Sequence, residues 1–66
     1  MQEVDLAMTH YSVDDCVKVI NGPLKGNRGV VVDTELDTHS DTLFVHVQFD
    51  YQGNPIWVDA VILEKD

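Results

Sequence analysis

Residues 11–32 read YSVDDCVKVINGPLKGNRGVVV, and the succession of patterns within them decides the fold. Residues 16–20 alternate, with Val17 and Val19 on one face and Cys16, Lys18 and Ile20 on the other, the period of two expected of a strand. Asn21, Gly22 and Pro23 break that strand. The segment GPLKGNRG then sets Gly22, Gly26 and Gly29 within eight residues, where glycine opens backbone angles closed to other residues. A valine run follows and begins a second strand over residues 30–36. The stretch therefore reads as strand, glycine loop, strand.

Toward the C-terminus, residues 33–42 (DTELDTHSDT) carry Asp33, Glu35, Asp37 and Asp41 and read as a strand end running into a solvated loop. Residues 43–49 (LFVHVQF) give the strongest strand signal, with Leu43, Val45, Val47 and Phe49 at strict period two and Phe44, His46 and Gln48 on the other face. Residues 51–54 (YQGN) read as a turn, and Pro55 opens a last strand over residues 56–59, followed by AVILEK. With YQGN as the whole loop, Phe49 falls opposite Ile56, Val47 opposite Val58 and Val45 opposite Ala60. The same register sets Gln48 opposite Trp57 and His46 opposite Asp59. Four or five short strands with tight glycine turns predict an all-β fold, a small SH3-like barrel of about five antiparallel strands.

Residues 1–11 show no strand alternation. Val4, Met8 and Tyr11 would share one face of a helix, but a helix of about ten residues is marginal alone, so the segment either docks on the domain or frays. The expected organisation is an N-terminal segment over 1–11 and one barrel over 12–66. A chain of 66 residues holds a single domain and buries only roughly 60 % of its unfolded surface, which leaves little room for a deep catalytic pocket. Twelve Asp and Glu against four Lys and Arg give a formal charge of −8, the wrong sign for following a phosphate backbone or an anionic membrane. The 44 % hydrophobic content in patterned runs argues for folding over acidic disorder. One cysteine, Cys16, allows no internal disulfide and points to a reducing compartment, with the cytoplasm expected; no signal peptide or membrane span is read in the chain.

On these residues the segment over 11–32 resembles the KOW motif, an extended strand, glycine loop and strand unit of SH3-like barrels, and PIWVDAVILEK at 55–65 looks like the closing strand of the C-terminal domain of NusG-type transcription factors. The resemblance implies a non-enzymatic binding module of the transcription or translation machinery, partnered with RNA polymerase, ribosomal proteins or their factors. It carries Lys25 and Arg28 over as possible phosphate contacts. Where the family often has Gly-Asp ahead of its first strand this chain has Asp14 and Asp15, a departure expected to alter the turn and add charge.

Two cations on a chain of −8 make a poor phosphate footprint, so a protein partner with a basic surface is expected in place of nucleic acid. The partner-binding residues expected are Phe44, His46, Trp57, Lys25 and Arg28, with Phe44 and Trp57 as aromatic anchors on the outer sheet face. The alternative for that face is that Val4, Met8 and Tyr11 fold over it as a lid. Three other functions remain open: an acidic inhibitor or nucleic-acid mimic that fills a basic site, an RNA-binding KOW domain, and a small accessory subunit of a larger enzyme. His10, His39, His46 and Cys16 lie in separate segments without zinc-site spacing, and Cys16 has no local base to activate it. The acids over 33–41 lack the glycine and terminal glutamate of a calcium loop. No catalytic residue, metal or cofactor is expected, and a monomer is expected over an oligomer.

Overall fold

The computed structural model describes residues 10–51 and 53–66, which form five antiparallel strands. These are β1 (Cys16–Val19), β2 (Arg28–Asp37), β3 (Thr42–Phe49), β4 (Ile56–Asp59) and β5 (Leu63–Lys65), with a 3-10 turn over Ala60–Ile62 between the last two. They make one sheet in the order β4-β3-β2-β1-β5. Its two edge strands are therefore consecutive in the chain. Five strands laid flat span about 19 Å from first to last, whereas three residues of 3-10 turn reach only about 6–8 Å. The sheet must curl until β4 and β5 approach, the geometry of a small barrel. Ile20 N–H donates to the Ile62 carbonyl at 2.8 Å and helps hold the turn at the end of β1.

The alternating faces read from the sequence become the core. Val17 and Val19 of β1, Val31 of β2, Val45, Val47 and Phe49 of β3, Val58 of β4 and Leu63 of β5 are all buried. Tyr11 joins them at 8 % exposure, so it packs inside the barrel and does not cover the outer face. Val4 and Met8, the rest of the expected lid, lie outside the described residues.

The glycines act in two different ways. Gly22 and Gly26 take φ of 85° and 96° in the β1–β2 loop, the angles for which glycine was expected there. Gly29 does not: it lies within β2, opposite Phe49, where a Cβ would stand 2.5 Å from the Gln48 carbonyl oxygen and 2.8 Å from a Val47 methyl. Gly29 is needed for close approach of two strands, and the eight-residue connection runs over 20–27 in place of 22–29.

The β3–β4 register departs from expectation by two residues. Val47 faces Ile56, His46 faces Trp57, Val45 faces Val58 and Phe44 faces Asp59. The pairings of Phe49 with Ile56, Val47 with Val58, Val45 with Ala60, Gln48 with Trp57 and His46 with Asp59 are thereby corrected. Past Phe49 the chain continues to follow β2, with Asp50 N–H donating to the Arg28 carbonyl at 2.9 Å, so it does not turn back at residue 51. Gln48 Nε2 donates to the Gly53 carbonyl at 2.9 Å and pins the longer connection. Pro55, without an N–H, also could not donate in the closing pair of a tight hairpin. Because the shift is even, every side chain keeps its face.

One irregularity decides what the outer face carries. The β2–β3 register slips between Val31 and Asp33, leaving Val32 as an unpaired bulge residue. Without the bulge, Asp33 and Glu35 would share the inward face of Val31. With it, Thr34 falls opposite buried Val45, while Asp33 faces His46 and Glu35 faces Phe44.

Candidate functional site

Three strands assemble the outer face in two cross-strand rows. Asp33, His46 and Trp57 form one; Glu35, Phe44 and Asp59 form the next. Leu43, Val45, Val47 and Phe49 of β3 take the inward positions, which turns Phe44 and His46 outward on the same strand. The sheet thus presents aromatic rings in a frame of carboxylates. His46 and Trp57 lie flat on each other, ring centroids 4.3 Å apart and planes within 3°. That stack fixes the indole, although Trp57 remains 42 % exposed. Glu35, Phe44 and Trp57 line a shallow groove of about 280 Å³ beside it.

The carboxylates of this face differ in their local roles. Asp33 Oδ1 accepts from the Thr34 amide at 2.8 Å, and Asp59 Oδ1 caps the 3-10 turn by accepting from the Val61 amide at 2.9 Å. Asp37 is a structural member of the β2–β3 tip, accepting from the His39 amide and the Ser40 hydroxyl, both at 3.0 Å. Glu35 accepts no hydrogen bond among the described residues.

The cations sit elsewhere. Arg28 Nε contacts Asp66 Oδ2 at 3.0 Å, Lys65 Nζ reaches Asp15 Oδ2 at 3.6 Å and Lys18 Nζ lies 3.9 Å from Glu64 Oε2. Lys25 is the one cation without a carboxylate partner among the described residues. Of the expected partner-binding residues, Phe44, His46 and Trp57 are brought together, whereas Lys25 and Arg28 belong to the β1–β2 loop and the start of β2. The sequence reading puts Asp33 and Glu35 at an acidic strand end running into a solvated loop, and their place on the aromatic face is missed there. The signal that would have found them is energetic: an unbroken strand phase turns both carboxylates toward the core, where unpaired charge is not tolerated.

Cys16 is exposed, and among the described residues no three His, Cys, Asp or Glu side chains gather to hold a metal ion. Among the same residues no helix is long and apolar enough to cross a membrane. Burial, reinforced by the charges of Glu64 and Asp15, raises the Tyr11 phenol above its ordinary range, while Lys65 Nζ stands 5.7 Å from its ring centre.

No curated protein matches the chain. The model of the KOW motif family matches residues 13–48, 36 of the 66, spanning β1, the glycine loop, the bulged β2 and most of β3, and the chain belongs to the KOW family.

Proposed function

We propose that this KOW domain is a non-catalytic, cytoplasmic module that binds a basic protein surface of the transcription or translation machinery. The observation that carries the reading is the outer face of β2, β3 and β4, where Phe44, His46 and Trp57 lie among Asp33, Glu35 and Asp59. Large aromatics on an exposed sheet face are effective interface anchors, and the surrounding acids favour a cationic partner and repel a phosphate backbone. Lys25 and Arg28 are peripheral contacts in this reading, since Arg28 is already engaged by Asp66. The resemblance to NusG-type domains supports RNA polymerase, ribosomal proteins or their factors as the partner class.

Affinity capture of the full chain from lysate, with mass spectrometry, tests the reading. Expected partners are basic transcription or translation proteins, with capture lost in Trp57→Ala. Trp57 is 42 % exposed and stacks on His46, so capture is compared on Trp57→Ala protein whose circular dichroism matches the parent, and Trp57→Phe, which keeps a ring on His46, separates loss of the anchor from loss of packing. Capture unaffected by Trp57→Ala, or tight RNA binding at physiological salt, would overturn the reading in favour of a different face or of an RNA ligand.

A second reading is carried by the same carboxylates. Asp33 and Glu35 along β2, with Asp59 on β4, make an anionic array suited to a nucleic-acid mimic. A mimic displaces nucleic acid from the captured partner, whereas an adaptor leaves it bound.

A further inference from the structure

The groove beside Trp57 deepens this reading and rests on it. Its three walls offer one ligand two kinds of attraction. Phe44 and Trp57 are aromatic, and aromatic faces draw cations that come within about 6 Å of the ring centre. His46 occupies one face of the indole and holds the ring in a fixed plane, so a ligand group meets a preset surface. The third wall is Glu35. Asp33 and Asp59 each spend a carboxylate oxygen on a nearby amide, but Glu35 forms no hydrogen bond or ion pair among the described residues. The ion pairs among those residues all involve β1, the start of β2, β5 and their flanks, so none of them neutralises the groove.

We propose that the groove lined by Glu35, Phe44 and Trp57 seats one arginine side chain from a basic segment of a protein partner. A guanidinium is planar and weakly hydrated, so it can lie against a flat ring and still direct paired N–H groups at a carboxylate. A lysine ammonium is a strongly hydrated point charge that gains less from both walls. An opening of about 280 Å³ admits one such side chain without requiring a deep pocket.

Trp57 is the chain's single tryptophan, so its fluorescence reports on the groove. The probe is a short acetylated and amidated peptide with two arginines among glycines and serines, titrated into the full chain at physiological salt. Matching peptides carry citrulline or lysine in place of arginine. The arginine peptide is expected to change Trp57 emission saturably, the lysine peptide to bind more weakly and the citrulline peptide not to bind. Glu35→Gln should weaken the arginine peptide about tenfold, the usual worth of a charge-assisted hydrogen bond. Asp50→Asn, an exposed carboxylate just beyond β3, removes the same charge away from the groove and should change affinity less than about twofold.

Equal responses to arginine and citrulline peptides would overturn the proposal, as would equal effects of Glu35→Gln and Asp50→Asn. So would single-stranded RNA that changes Trp57 emission where the arginine peptide does not. If the arginine seat fails while Trp57→Ala still abolishes partner capture, the cation groove is wrong and the binding face stands. If both fail, the face itself is wrong.

Discussion

Asp14 holds a backbone conformation that its residue type does not favour. Its φ is 80°, and Asp15 N–H donates to the Ser12 carbonyl at 3.0 Å across it, which places Asp14 third in a four-residue turn of the kind that favours glycine. Aspartate tolerates this region better than most residues, and Asp15 reinforces the turn by accepting from the Ser12 amide at 2.8 Å. The departure from Gly-Asp therefore leaves a closed turn, held at some conformational cost. The Asp14 side chain makes no hydrogen bond among the described residues, so its removal loses no contact there. Asp14→Gly is expected to stabilise the domain by roughly 0.5–1 kcal/mol, and Asp14→Ala to destabilise it by about 1 kcal/mol. Denaturant midpoints with unchanged slopes would show this; loss of stability in the glycine variant would mean that the carboxylate does matter. Gly29 teaches the opposite lesson, because its φ is unremarkable and its missing Cβ is what admits β3.

At the scale of elements, β3 was legible because one long strand carries four apolar residues at strict alternation. β2 was legible as a strand but not in phase. Val30, Val31 and Val32 are consecutive and identical, so nothing in their periodicity marks which one is the bulge. The acidic half of the outer face was hidden for that reason, while the aromatic half, set by β3 and β4, was not. The β3–β4 register was misread because turn residues mark where a chain bends without fixing how long the earlier strand keeps its partner. Deleting Val32 tests the bulge directly. With Val32 gone, Asp33 follows Val31 without interruption, so strand alternation alone turns Asp33 and Glu35 outward and Thr34 inward, and the pairs Asp33–His46, Thr34–Val45 and Glu35–Phe44 are kept. The deletion variant should therefore fold, with amide NMR contacts across those three pairs retained. Val32→Thr keeps the residue count at an exposed position and should stay within about 0.5 kcal/mol of the parent. Loss of those cross-strand contacts in the deletion variant would show that Val32 does more than offset the phase of β2.

Across the whole molecule, closure depends on residues far apart in sequence packing around one small core, and Tyr11 reports on it. Its ring joins the cluster that includes Leu63 of β5, and its phenol is held protonated first by burial and then by the charges of Glu64 and Asp15. The phenol therefore binds its proton more tightly in the folded state than in the unfolded one. The stabilisation linked to that difference is fully present below the unfolded tyrosine pKa of about 10, and it is lost as the pH rises through the higher folded value. Stability of the parent should fall with alkali above pH about 10, with a slope from this group of at most about 1.4 kcal/mol per pH unit. Tyr11→Phe keeps the ring in the core and removes the ionisation. Denaturant unfolding of both proteins between pH 8 and 12 should show a shallower alkaline decline in the variant. Tyr51 and the lysines are present in both proteins and subtract from the comparison. Identical alkaline declines would place the Tyr11 hydroxyl in contact with water and separate it from the closure of the barrel.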